Sequence, residues 1–302
     1  MFSIAGLQIE NAATNNVDAM LVELDSLKRR FPWVHMAMFG ELHAFGTRTQ
    51  YAEPLPSATE ARFCEAAHRL GLWLLPGTLF ERDGANIHNT APVIDPRGRV
   101  VLRYRKMFPF LPYETGVTGG AGPGVFDVPG VGRFGVSICY DMWFPESVRA
   151  LACAGAEVIL HPSLTNTIDR DVELSIARAN AAVNQCYFFS LNLAARLGFG
   201  RSAVFGPGGE TIHVAGSGRE IIPVELDFEY VRRVRRRGWQ GLGQTLKSFR
   251  DSRMDLAAHV QDRANNPHLA RLGPLELPSM EPEQSGSAPE GRLDLRGPES
   301  RE

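Results

Sequence analysis

Phe134-Gly135-Val136-Ser137-Ile138-Cys139-Tyr140-Asp141-Met142-Trp143-Phe144-Pro145-Glu146 carries an apolar strand into a helix with a thiol at the junction. A cysteine at such a corner points into open space, close to backbone N–H groups and to the positive end of a helix dipole. Both features lower a thiol pKa and can hold an oxyanion, which is the geometry of a nucleophile. A free cysteine is more often a small buried hydrophobe, so the corner alone decides little.

Two further segments add weight. In Ala37-Met38-Phe39-Gly40-Glu41-Leu42-His43 a strand pattern over 33–39 ends in a glycine and then a carboxylate. A glutamate at the carboxyl end of a buried strand lies where open α/β sheets place their chemistry. In Arg103-Tyr104-Arg105-Lys106-Met107-Phe108-Pro109-Phe110 a strand runs out of the turn Asp95-Pro96-Arg97-Gly98, ends at Lys106 and passes into an aromatic, proline-rich loop. Lysines at strand ends usually face solvent, but the apolar residues around Lys106 suit a semi-buried cation.

Glu41, Lys106 and Cys139, in that order and each at a strand end, resemble the catalytic triad of the nitrilase superfamily of carbon–nitrogen hydrolases. The pattern Gly135-x-x-Ile138-Cys139-Tyr140-Asp141-x-x-Phe144-Pro145-Glu146 fits the family at nearly every defined position, as does Tyr104-Arg105-Lys106. Asn89-Thr90-Ala91 before Pro96-x-Gly98, Ala177-Arg178-Ala179-Asn180 with Asn184, Asn192, and Gly200-Arg201-Ser202 before Pro207-x-Gly209 agree, so the resemblance runs from about Phe2 to about Asp227. True nitrilases follow the cysteine with Trp-Glu, whereas Tyr140-Asp141 is similar to the amidase and carbamoylase branches. Nitrile hydrolysis is accordingly the less favoured activity. Phe39-Gly40-Glu41 lacks a proline that many relatives carry, and His161-Pro162-Ser163-Leu164-Thr165-Asn166 lacks a tryptophan frequent there.

The resemblance implies roles. Glu41 takes the thiol proton and returns it to ammonia, a general acid–base task suited to a carboxylate whose pKa burial has raised. Lys106, with the Tyr140 N–H, steadies the tetrahedral oxyanion, and Cys139 carries the acyl group as a thioester. Glu114, after Phe110-Leu111-Pro112-Tyr113, matches a second glutamate that similar amidases use to orient substrate or hold the lysine. An aromatic rim from Phe108, Phe110, Tyr113, Tyr140 and Trp143 suits a compact, partly apolar amide, with Tyr113, Tyr140 and Trp143 as the expected substrate contacts. An N-carbamoyl amino acid hydrolase is the alternative and needs an anchor for a carboxylate, with Arg178 or Arg201 as candidates. A binding protein without turnover is the third reading, which the intact Glu41, Lys106 and Cys139 disfavour.

Length and composition agree with a single large α/β domain: 302 residues, 44% apolar and a net charge of −2. That charge points to no nucleic-acid partner. Four cysteines without CxxC spacing predict a reduced, cytoplasmic setting, with Cys64, Cys153 and Cys186 in the core. There is no HExxH signature and the eight histidines are scattered, so no metal or cofactor is expected. The first residues open directly on a strand-like run, and no window reaches the roughly 18 apolar residues of a membrane span, which predicts no membrane partner.

Along the chain, strand and helix patterns alternate. Val17, Met20, Leu21, Leu24 and Leu27 mark a helix over 17–28; the capping box Ser57-x-x-Glu60 opens another that Gly71 closes, and a strand over 72–79 follows. Periodicity alone supports a layered α/β fold. The resemblance implies the four-layer α-β-β-α sandwich. One domain over 1–270 is expected, with 228–270 as a C-terminal extension reaching a subunit interface of a homo-oligomer. The cluster Val231-Arg232-Arg233-Val234-Arg235-Arg236-Arg237 reads as a surface helix rather than an RNA patch, since stacking aromatics are sparse there. Residues 273–302, rich in Pro, Glu, Ser and Gly, read as a disordered tail.

Overall fold

The computed structural model describes residues 1–12, 14–253 and 266–275. The expected tail lies outside the described residues except for 273–275, as does 254–265 of the expected extension.

Two sheets lie face to face. The first is built on β1 (Phe2–Gln8), which pairs in parallel with β2 (Met36–Phe39); β2 in turn pairs with β3 (Trp73–Leu75). Then come β4 (Leu79–Asp83), β5 (Asn86–Ile94) and β6 (Val100–Arg105), with β5 antiparallel to β3, β4 and β6. The second holds β7 (Gly124–Val128), β8 (Gly132–Val136), β9 (Val158–Pro162), β10 (Tyr187–Leu191), β11 (Ala203–Phe205) and β12 (Thr211–Val214), in reverse spatial order 12-11-10-9-8-7. β13 (Glu220–Leu226) returns to the free edge of β1.

The burial pattern shows why these runs form strands. β1, β2, β9 and β10 are buried at every position, as strands covered on both faces must be, and they read as mainly apolar runs broken only by Ser3, Gln8, His161 and Ser190. One core fills the space between the sheets, with Ile4, Met38 and Val93 facing Phe134, Leu160 and Phe189. At Gly6 the sheets approach so closely that a Cβ would sit 2.7 Å from the Phe189 ring.

Helices cover both outer faces. α1 (Val17–Arg30) turns Val17, Met20, Leu24 and Leu27 inward, and α2 (Ala58–Leu70) adds Phe63, Ala66 and Ala67 to the same core. Phe63 is wholly buried, so its truncation to alanine costs about 3–5 kcal/mol. On the other side α3 (Pro145–Cys153) and α4 (Arg170–Val183) bury Val148, Leu151, Ala177 and Ala181 against Ile159 and Phe188. The expected four-layer α-β-β-α sandwich is therefore what the chain forms, and among the described residues no helix is long and apolar enough to cross a membrane.

Local signals held with three corrections. The Ser57 side chain accepts the Glu60 N–H, and Gly71 ends α2 at φ +61°, but the Glu60 carboxylate turns away to bind Arg103 of β6 at 2.6 Å. The strand expected over 72–79 is two strands, β3 and β4, split at Pro76-Gly77, because Gly77 at φ +79° lies so close to the Gly40 carbonyl that no side chain fits. Cys186 is buried and Cys64 half-buried, but Cys153, on the last turn of α3, is exposed. α5 (Phe228–Arg237) buries Val231 and Val234. Three of its five arginines bind their own chain: Arg232 pairs with Glu157 at 2.8 Å, Arg233 with Asp227, and Arg235 donates to the carbonyls of Gln185 and Ala156.

Candidate active site

Three chain segments converge beneath the ends of β2, β6 and β8. β2 stops at Phe39 and the Glu41 N–H donates to the Ser163 carbonyl, 3.2 Å away, which turns the Glu41 side chain into the gap between the sheets at 3% exposure. β6 ends at Arg105; the next N–H, that of Lys106, still bonds the Asn89 carbonyl at 2.9 Å, so the lysine side chain continues the strand's alternation inward. Its ammonium lies 2.9 Å from Glu41 and 2.9 Å from Glu114, with the lysine 1% exposed. The Asn89 amide donates to Glu41 at 2.8 Å and tethers the same carboxylate from β5.

Glu114 is held by a one-turn loop. Its N–H bonds the Phe110 carbonyl, and its carboxylate accepts the Phe110 N–H at 2.5 Å. That turn points residues 110 and 114 inward and Tyr113 outward: Tyr113 is 59% exposed and only stacks on Phe110, so it does not line the cavity as expected. Phe108 likewise stacks on Phe144 instead of facing the cavity.

Cys139 stands at a strained corner, φ +44°, which a non-glycine residue rarely adopts. Asp141 fixes it. That fully buried carboxylate accepts the Tyr104 hydroxyl at 2.6 Å, the Ile138 N–H at 2.9 Å and, across the gap, the Phe108 N–H at 2.8 Å. The lysine segment and the cysteine segment are thereby tied to one group. His161 of β9 donates Nε2–H to the Cys139 carbonyl at 3.0 Å, and Asn180 of α4 donates to Met142 at 3.1 Å. Ser163 offers its hydroxyl to the sulfur at 3.6 Å.

The electrostatics correct one expectation. Burial, reinforced by the Glu41 charge, pushes the Cys139 thiol up; Lys106 and the Leu164 N–H oppose that shift without cancelling it. The resting group is thus a thiol, because the short 3-10 turn over Cys139–Trp143 adds too little to offset a dry site. Burial also raises Glu41, against the pull of Lys106, and the flanking carboxylates hold the Lys106 ammonium well above its usual range although burial works against it.

Above the sulfur is a cavity of about 80 Å³, lined on one side by Phe110, Tyr140 and Trp143 and on the other by Leu164, Thr165, Asn166, Asp169 and Glu173. Tyr140 and Trp143 stand where they were expected. Arg178 and Arg201 do not line it: Arg178 binds the Gly209 carbonyl at 2.6 Å and Arg201 pairs with Asp171 at 2.5 Å. The polar wall was not foreseen. Asn192 clamps Thr165 through its N–H and carbonyl, at 3.0 and 2.9 Å, and the Thr165 hydroxyl donates to Glu173 at 3.0 Å. Glu173 pairs with Arg170 at 2.9 Å, both being 3% exposed at the side chain. A signal existed: 170 and 173 share a helical face with Ala177, Asn180 and Ala181, all buried.

The family profile described as carbon-nitrogen hydrolase matches residues 7–236, which includes every group described above. The chain belongs to the carbon-nitrogen hydrolase family. Omega-amidase NIT2 of Xenopus tropicalis is 28% identical over 208 residues, 63% of this chain and 75% of the relative. A formamidase of Bacillus cereus (strain Q1) is 32% identical over 186 residues, 59% of this chain and 56% of that one. Among solved structures, Nit3 of Saccharomyces cerevisiae, a member of branch 10 of the nitrilase superfamily, superposes with a TM-score of 0.72 at 26% identity, covering 78% of this chain and 93% of its own. A carbon-nitrogen hydrolase of Helicobacter pylori G27 shares the fold at a TM-score of 0.75 and 24% identity, over 87% of this chain and 98% of that one. The carbon-nitrogen hydrolase assignment agrees with the resemblance read from residues 2–227, and amidases stand among its relatives.

Proposed function

We propose that the protein hydrolyses small carboxamides to a carboxylic acid and ammonia through a thioester on Cys139. The observation that carries this reading is the Lys106 ammonium held 2.9 Å from both Glu41 and Glu114 in a dry site beside a thiol at a strained corner. A neutral thiol needs a base at the moment of attack, and Glu41 is the carboxylate in place with a raised pKa. As sulfur bonds the carbonyl carbon, the thiol proton passes to Glu41 and the carbonyl electrons move to oxygen. Lys106 and the Tyr140 N–H meet that oxyanion; one such donor commonly accounts for about 10²–10³ in kcat. Collapse breaks the C–N bond, and Glu41 returns the proton to departing ammonia. Glu41 then takes a proton from water, which adds to the thioester and frees the acid and the thiol. Glu114 positions Lys106, and Tyr140 and Trp143 flank the acyl group.

The cavity limits the substrate. About 80 Å³ is far below the roughly 300–1,000 Å³ of sites for drug-sized ligands, so an acyl group of a few heavy atoms fits. With Arg178 and Arg201 engaged elsewhere, nothing favours the carbamoyl amino acid reading. A reduced cytoplasmic setting, which the unpaired cysteines suit, and self-association complete the proposal. Residues 1–270 belong to one hydrolase domain in this reading. Sedimentation that shows only monomer at micromolar concentration argues against the oligomer.

Ammonia release from short aliphatic amides, aryl amides, nitriles and N-carbamoyl amino acids, measured beside Cys139→Ala, tests the function. Release from short amides that the substitution abolishes is the expected result. Release from nitriles alone, or release that survives in Cys139→Ala, contradicts it.

A further inference from the structure

The two walls of the cavity differ in charge as well as polarity. Phe110, Tyr140 and Trp143 offer aromatic faces, which attract cations. The rest of the lining holds two carboxylates, Asp169 and Glu173, and among the described residues no lysine or arginine. Glu173 is answered by buried Arg170. Asp169 is not: its carboxylate accepts the Thr167 hydroxyl, Arg170 is committed to Glu173 and Arg201 to Asp171, and no cation pairs with Asp169 among the described residues. Lys106 answers Glu41 and Glu114, and Arg170 answers Glu173, so among the described residues Asp169 is the carboxylate of this group left without an ion pair. A carboxylate brought into this cavity loses its hydration and meets acceptors and aromatic faces, whereas an ammonium loses hydration and meets groups that replace it.

We propose that the Cys139 cavity sorts acyl groups by charge, favouring a carboxamide whose acyl chain ends in an ammonium, accepting a neutral one and rejecting one that ends in a carboxylate, with Asp169 setting the preference. The proposal deepens the amidase reading and rests on it for the word substrate, but the charge selection itself can be read without turnover.

The first measurement is alkylation of Cys139 by 2-bromoethylammonium, iodoacetamide and iodoacetate, located by peptide mass spectrometry and normalised to the rate with a free cysteine derivative. Ammonium above amide above carboxylate is expected, with about tenfold between the extremes or more. In Asp169→Asn the spread shrinks by about fivefold; Asp171→Asn, whose carboxylate pairs with Arg201 outside the cavity, leaves the spread unchanged. The second is kcat/KM for the near-isosteric 3-aminopropanamide and butanamide and for succinamate, which should fall in the same order. Iodoacetate reacting as fast as iodoacetamide, or an undiminished spread in Asp169→Asn, overturns the proposal. Charge-ordered alkylation with no amide hydrolysed leaves the selection standing and removes the amidase reading; succinamate as the best amide does the reverse.

Discussion

Glu114→Gln isolates charge from shape. One oxygen of Glu114 accepts both Lys106, at 2.9 Å, and the Phe110 N–H, at 2.5 Å, while the other lies 3.5 Å from the Asn89 amide. A glutamine oxygen can take the first position and keep both bonds, which leaves only the weak Asn89 contact in conflict. What is lost is the negative charge. The ion pair with Lys106 becomes a hydrogen bond from the ammonium to a neutral acceptor, a difference of about 1–1.5 kcal/mol, and kcat should fall about tenfold. Glu114→Ala, which also frees the Phe110 loop, should cost about a hundredfold. The charge has a second effect. Both carboxylates touch the Lys106 nitrogen, so their oxygens are no more than about 6 Å apart, and Glu114 helps to raise Glu41. At an effective dielectric constant of about 20 that repulsion amounts to about 3 kcal/mol before screening, and solvent reaching the partly exposed Glu114 reduces it. Glu41 must be ionised to act as base, so removing a neighbouring negative charge lowers its pKa and moves the acid limb of kcat/KM to lower pH. Steady-state ammonia release from pH 4 to 9 reads both effects. A Glu114→Gln enzyme within about twofold of wild type, or an acid limb that moves up, refutes the reasoning.

Asp141→Asn should destabilise the fold by about 2–4 kcal/mol in urea unfolding, because the amide must point a donor at the N–H of either Phe108 or Ile138 whichever way it turns; a loss below about 0.5 kcal/mol contradicts the assigned bonds. His43 is buried and its pKa is pushed down to about 3 by desolvation, from an ordinary 6.5. It is neutral when folded and takes a proton only on unfolding, so its share of stability is complete above pH 6.5 and is lost as pH falls toward 3. His43→Gln should therefore lose about 2 kcal/mol less than wild type between pH 7 and pH 5. Parallel stability curves for the two proteins contradict that.

The strands and helices were legible because they announce themselves locally, whereas their four-layer arrangement was read from the family resemblance. The inward face of α1, the cap at Ser57 and the αL glycine at 71 each depend on residues within one turn of one another. Glu41, Lys106 and Cys139 stood out for the same reason, each sitting at a strand end with a distinctive sequence around it. The cavity wall was not. Thr165 is placed by Asn192, 27 positions later, and Glu173 reads in sequence as one more charge on a helix until Arg170 and the burial of both are known. The thiol's protonation state was misjudged because it turns on how dry the site is, a property of packing among three distant segments. The split at Pro76-Gly77 depends on contact with Gly40, which no local window contains.

The central claim is that Cys139 carries the acyl group. Rapid acid quench during turnover of butanamide, followed by intact-mass and peptide analysis, tests it most directly. The account predicts a mass increase equal to the acyl group, mapped to Cys139, hydroxylamine-sensitive and absent in Cys139→Ala, with one ammonia released for each adduct formed in the first turnover. Ammonia released with no adduct at Cys139, or an adduct mapped to Cys64, Cys153 or Cys186, contradicts it.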